Sequence, residues 1–167
     1  MTPQAPPQPL TIQEELKQFR PFHSRGQEAY LTLLRTADDM RRRVSLVLEP
    51  AGVTLQQYNV LRILRGAGEE GLPTLAIGER MIERTPGITR LIDRMEEKGW
   101  VDRERCTEDR RRVWCRITEE GLGLLAPLDA PVNAVDDLLE EVLDQEELTT
   151  LIGQLDAIRA HLNHPRA

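Results

Sequence analysis

Between Arg103 and Gly121 the chain reads RERCTEDRRRVWCRITEEG, with three consecutive arginines, Arg110, Arg111 and Arg112, and Arg116 close behind. A guanidinium is always charged and presents a planar fork of N–H donors. Arginines gathered this closely suit phosphate oxygens, or a narrow minor groove where the negative potential is enhanced. A second set of side chains with related chemistry lies just upstream, in RTPGITRLIDRMEEKGW, Arg84 to Trp100. There Arg90 can present its fork to O6 and N7 of guanine, and Thr89 can meet a thymine methyl or a phosphate. Asp93, three residues after Arg90, either holds that guanidinium in place or faces cytosine N4, and the sequence leaves both open.

These residues need elements to position them. Val113, Cys115 and Ile117 alternate with Trp114 and Arg116, the period of a half-buried strand. With WVDRER before it and CTEDRR between, the pattern is a β-hairpin whose tip carries the arginines. Upstream, Ile88, Leu91, Ile92 and Met95 fall at i, i+3, i+4 and i+7 and form a buried helix face. Pro86, Thr89, Arg90, Asp93, Arg94 and Glu97 lie around the other side. Thr85 is placed at the N-cap, Pro86 at the first helical position and Gly99 at the C-terminal stop. A short helix from Leu75 to Ile82, capped by Thr74, precedes it. Before that, a capping box of Thr54 and Gln57 opens a helix that buries Tyr58, Val60, Leu61 and Leu64. Two helices around a tight turn, followed by a two-stranded hairpin, make a winged helix-turn-helix, in which the second helix enters a major groove.

Charge is distributed to match. The chain carries a formal net charge of −6, yet the segment from Arg80 to Arg116 holds eleven Lys and Arg against eight Asp and Glu. A small local excess of positive charge on an acidic protein points to several phosphate contacts per subunit and to salt-sensitive binding helped by dimerisation.

The flanks supply apolar surface beyond the needs of one small domain. Residues 1–10 contain Pro3, Pro6, Pro7 and Pro9 and read as a disordered arm without a basic residue. Thr11 and Glu14 form a capping box, and a long helix from Gln27 to Glu49 places Tyr30, Leu33, Leu34, Ala37, Met40, Val44, Val47 and Leu48 on one face expected to be buried. After Thr118, which caps the next helix, Pro127 and Pro131 are expected to kink or interrupt it before it resumes through Val135, Leu138, Leu139 and Val142. Asp144 with Glu147 opens a last helix, striped by Leu148, Leu151, Ile152, Leu155, Ile158 and Leu162. The surplus is most simply buried against a second copy. The expected organisation is mainly α with a small β-wing: a disordered arm (1–10), N-terminal dimerisation helices (11–53), a winged helix-turn-helix (54–118) and C-terminal dimerisation helices (119–167).

In this order the elements resemble the MarR family of transcriptional regulators, over roughly Arg25 to Leu162. The most specific piece is DRRRVWCRITEEG, similar to the family's wing signature of Asp-x-Arg, a strand, then Leu-Thr-x-x-Gly, with Ile117 standing in place of Leu. The resemblance implies a homodimer on a palindromic operator of double-stranded DNA, released by a small-molecule effector or by oxidation; a repressor is expected, and the sequence leaves an activator open. It implies that Arg111, oriented by Asp109 and flanked by Arg110 and Arg112, enters the minor groove. It also implies recognition-helix contacts from Thr85, Pro86, Thr89, Arg90 and Arg94. An effector pocket between the dimer helices and the winged domain would draw on His23, Arg43 and Tyr58.

Other chemistry is sparse. Were the hairpin centred between Arg110 and Arg111, Cys106 and Cys115 would lie opposite each other and oxidation could cross-link the wing, giving a redox-responsive regulator. Otherwise they are two small strand residues in a reducing compartment. The family's peroxide sensors carry a reactive cysteine near the N-terminal helix, and this chain has none there. His161 and His164 have spacing that suits a metal but are only a pair, so no metal or cofactor is expected. No nucleophile-and-base set, glycine-rich phosphate loop or Cys-x-x-Cys supports an enzyme. No apolar run approaches the ~18 residues of a membrane span, and a cytoplasmic protein is expected. The contrasting reading is a helical protein-interaction module with a degenerate winged helix.

Overall fold

A computed structural model of the chain describes residues 10–83, 86–105 and 113–163, which form two compact units, 1–42 and 43–167. Helix α1 (Ile12–Glu15) is a single turn opened by the expected capping box, the Thr11 N–H donating to Glu14 Oε2 at 2.7 Å. Helix α2 (Arg25–Leu48) begins two residues before the predicted Gln27, because Ser24 Oγ accepts the Gln27 N–H at 3.1 Å and acts as its cap. It runs from the first unit into the second. Its apolar stripe has two fates: in the first unit Tyr30, Leu33 and Leu34 are exposed, whereas Val44, Val47 and Leu48 pack into the core of the second.

The second unit contains α3 (Leu55–Ala67), β1 (Leu72–Pro73), α4 (Thr74–Arg80), α5 (Ile88–Glu97), β2 (Val101–Arg105), β3 (Val113–Ile117), α6 (Glu119–Glu140) and α7 (Gln145–Asn163). The strands form one antiparallel sheet in the order β1-β3-β2. Pro73 sits on the edge strand, where its missing N–H interrupts no ladder. Leu61 and Leu64 of α3, Ile77 of α4, Ile92 and Met95 of α5, Val101, Cys115 and Leu125 converge with no exposed surface. Mainly helical with a small β-wing, the architecture is the winged helix expected.

Local details depart from expectation at three further helices. Thr74 is not the cap of α4 but its first residue, after Pro73; its hydroxyl is turned to the Val113 carbonyl and Cys115 Sγ, each at 3.5 Å. For α5 the N-cap is Gly87, not Thr85, and Pro86 precedes the helix. Gly87 has φ 92°, a left-handed conformation that glycine adopts without steric cost, so the helical path starts only after it. Thr85 itself lies outside the described residues.

The third departure is α6, which runs unbroken through Pro127 and Pro131. The carbonyls of Gly123 and Pro127, four residues back, lose the N–H donor that proline lacks, and both residues are exposed, so water can serve them. The opposite face, Gly121, Leu125, Leu128, Val132 and Val135, is buried and holds the helix in place. Other signals behave as expected. Thr54 and Gln57 exchange bonds of 3.0 and 3.3 Å. Asp144 and Glu147 do so at 2.9 Å each, and Gly121 N–H donates to Thr118 Oγ1 at 3.0 Å.

Candidate nucleic-acid interface

The interface is built on α4, α5 and the hairpin of β2 and β3. Helix α5 turns Leu91, Ile92 and Met95 into the core and leaves Pro86, Thr89, Arg90 and Arg94 exposed. The backbone just after α4 is held from α3: Asn59 Oδ1 accepts the Ile82 N–H at 3.1 Å. At its other end α5 stops at Gly99, whose N–H donates to the Glu96 carbonyl at 2.8 Å, with Trp100 N–H reaching the Met95 carbonyl at 3.0 Å. Lys98 lies over the Trp100 ring, 4.2 Å from its centroid. These contacts give α5 a defined rotation, and with it the direction of Thr89 and Arg90.

Asp93 has a partner that the sequence does not suggest. Its Oδ1 is 2.6 Å from Nη1 of Arg103, in β2, and so it does not hold Arg90. Arg103 also engages Glu96 Oε2 through Nε at 2.7 Å and Nη2 at 2.5 Å. The Glu96 carboxylate foremost, then Asp93, push the Arg103 guanidinium pKa up. In the sequence Arg103 counts only toward the charge of the arginine-rich stretch. Carboxylates at i and i+3 facing a strand arginine are the signal that could have found it. The Arg90 guanidinium makes no hydrogen bond or ion pair among the described residues. Arg94 donates through Nε to the Arg90 carbonyl at 3.3 Å.

On the sheet, Arg103 pairs with Cys115 and Arg105 with Val113. That register corrects the hairpin centre assumed for a cysteine pair: the residue opposite Cys115 is Arg103, not Cys106. Cys106 lies outside the described residues, as do Asp109, Arg110, Arg111 and Arg112 of the wing tip. Cys115 itself is buried, and burial pushes its thiol pKa up, the Thr74 hydroxyl offsetting this in part. Arg116 ties the wing to the body, donating through Nε to the Glu69 carbonyl at 2.9 Å and pairing with Glu104 at 2.7 Å.

The three residues suggested for an effector pocket have different surroundings. His23, in the first unit, is exposed, and its Nδ1 lies 2.8 Å from Gln27 Oε1. Arg43 is exposed, whereas Tyr58 is buried in the core of the second unit with its hydroxyl accepting from Arg62 Nη1 at 3.3 Å. Elsewhere in that unit Arg65 grips Asp129 with two bonds, of 2.8 and 2.9 Å, joining α3 to α6. His161 is exposed on α7, and His164 lies outside the described residues. Among the described residues there is no group of three or more His, Cys, Asp or Glu that could hold a metal, and no helix is long and apolar enough to cross a membrane.

Two consecutive helices, the second exposing Thr89 and Arg90 beside a two-stranded wing, define a DNA-binding winged helix. The MarR family model matches residues 53–113. The HTH-type transcriptional regulator FarR of Neisseria gonorrhoeae is 30% identical over 146 residues, 86% of this chain and 99% of FarR. Among solved structures, a MarR transcription factor from Planctomyces limnophilus is 40% identical, with a TM-score of 0.62 over 82% of this chain and 99% of that one. NadR, in complex with 4-hydroxyphenylacetate, is 26% identical, with a TM-score of 0.67 over 83% of this chain and 97% of its own. The chain belongs to the MarR family of transcriptional regulators.

Proposed function

We propose that this regulator is a repressor that binds a palindromic operator as a homodimer and is released by a small organic effector. The observation that carries the DNA-reading part is the exposed Arg90 guanidinium, unengaged among the described residues, on a helix whose opposite face is locked into the core. In this reading α5 lies in the major groove, where Arg90 takes guanine, Thr89 a thymine methyl or phosphate, and Pro86 and Arg94 flank them. Thr85 is assigned to the same surface from the family pattern. The wing tip, Arg110 to Arg112 with Asp109 orienting Arg111, holds the minor groove and its phosphates.

Dimerisation is supported by apolar side chains left in water by a single chain. Tyr30, Leu33 and Leu34 on α2 are exposed, as are Ile152, Ile158 and Leu162 on α7, of which no residue is buried. Covering both helices with a second copy removes this surface and sets two recognition helices on two half-sites. Binding of a small organic effector is supported by the complex of NadR with 4-hydroxyphenylacetate. His23, Arg43 and Tyr58 remain the residues proposed, from the family resemblance alone, for contact with such an effector.

The experiment is selection of the operator from random duplexes, followed by binding of Arg90→Ala and Arg111→Ala to selected and scrambled DNA across a salt series. Arg90→Ala should relax the preference at one position per half-site, at a cost of about 1–3 kcal/mol for the preferred base. Arg111→Ala should weaken both duplexes and lower the salt slope by about one per wing. An Arg111→Ala protein with unchanged affinity and slope refutes the wing assignment; a selection yielding no symmetric sequence refutes the palindromic dimer.

A further inference from the structure

Arg103 ties β2 of the wing to the recognition helix, and its two partners are not equivalent. Glu96 is the penultimate residue of α5, and two of the guanidinium nitrogens of Arg103 serve it, at 2.5 and 2.7 Å. Asp93 lies mid-helix, three residues from Arg90, and takes the remaining nitrogen at 2.6 Å. Side chains at i and i+3 on a helix are neighbours, with Cβ atoms roughly 5–6 Å apart. A free Asp93 carboxylate is therefore within reach of Arg90. It would compete for the fork that Arg90 offers to guanine, because carboxylate and the O6/N7 edge accept the same pair of donors.

We propose that Arg103 is a specificity-determining positioning residue, which by holding Asp93 and Glu96 against β2 keeps the Asp93 carboxylate off Arg90 and leaves that guanidinium free to read a base. The inference rests on the base-reading role of Arg90 proposed above. The side chain of Arg103 is only 25% exposed, so its ion pairs are less screened than those at the open surface and can hold both carboxylates in place. A lysine could not replace it, since one ammonium lacks the forked geometry that spans two carboxylates. Arg103 need not touch DNA; it acts through Asp93.

The test uses the full-length protein and the selected operator, together with the same duplex changed at the base pair where Arg90→Ala relaxes preference. The readout is the ratio of the two affinities. Arg103→Ala should reduce that ratio about tenfold, the size of a lost bidentate base contact. Adding Asp93→Asn to Arg103→Ala should return the ratio to within about twofold of the wild type, because the amide carries no charge with which to capture Arg90. A brace that merely stiffens the wing would not be rescued this way, since Asp93→Asn restores no contact between α5 and β2. Circular dichroism checks that each variant is folded. Should Arg103→Ala not fold, Arg103→Lys takes its place, with a smaller loss that Asp93→Asn again reverses. A folded Arg103 variant with an unchanged ratio, or one that Asp93→Asn fails to rescue, overturns the proposal while the base-reading role stands. An Arg90→Ala protein that keeps its preference at every position overturns both.

Discussion

The same substitution at two glycines of α6 should change stability in opposite directions. Gly121 and Gly123 both lie in the helix, and alanine is favoured over glycine in a helix interior by roughly 0.5–1 kcal/mol. At Gly123 a Cβ meets nothing within 4 Å, so Gly123→Ala should keep that gain. At Gly121 a Cβ would be forced into the Trp100 carbonyl oxygen and would come within 2.8 Å of Ile117 Cγ1. Trp100 leads into β2 and Ile117 ends β3, so neither can yield without moving the wing. Overpacking of this kind costs about 1–3 kcal/mol and outweighs the propensity gain, leaving Gly121→Ala destabilised by roughly 1–2 kcal/mol. For a chain of this size each kcal/mol moves Tm by about 2–4 °C. Thermal unfolding at fixed protein concentration should place Gly123→Ala above the wild type and Gly121→Ala several degrees below it. Operator affinity should fall for Gly121→Ala alone. If both variants shift in the same direction, the close approach of the wing to α6 is not what requires glycine in the ITEEG segment.

Thr118→Ala removes the hydroxyl that donates to the Gly99 carbonyl at 2.6 Å and caps Gly121, and should cost about 1–2 kcal/mol in urea unfolding; a midpoint equal to the wild type refutes this. Asp129→Asn should cost no more than about 1 kcal/mol at neutral pH, because the pair with Arg65 is partly exposed. Arg65 holds the Asp129 carboxyl below its ordinary pKa, so this contribution is present above that ordinary value, roughly 3.9, and lost as pH falls through the lower folded one. The stability gap between wild type and variant should accordingly close on acidification, and a gap independent of pH speaks against the pairing. Truncation after Val142, which deletes α7, should give monomeric or insoluble protein without specific binding; a stable dimer in light scattering contradicts the proposed role of that helix.

Much of the fold was legible because its signals are local. A capping box needs only Thr54 and Gln57, or Thr11 and Glu14, at a spacing of three. The buried face of α5 needs only Ile88, Leu91, Ile92 and Met95 at helical intervals. The wing signature around DRRRVWCRITEEG placed the family, and an arginine-rich hairpin after an exposed helix face pointed to DNA. Boundaries were less legible where a side chain had a distant alternative. Thr74 is drawn to β3 rather than to its own helix end, and Gly87 rather than Thr85 starts α5 because backbone freedom outweighed capping propensity.

By itself the sequence determined which residues are apolar at which period, where helices can start, and that positive charge gathers between Arg80 and Arg116. Those properties depend on neighbours three or four residues apart. Only the tertiary structure decided that α6 survives two prolines, since that depends on which face the core covers, and that Cys115 pairs with Arg103, since register follows from the whole hairpin. It also decided the partner of Asp93. In sequence Arg90 is three residues away and Arg103 is ten, yet folding β2 back along α5 brings Arg103 within 2.6 Å. Local spacing limits what a side chain can reach, but the contact it makes is chosen among all the groups that packing brings to it.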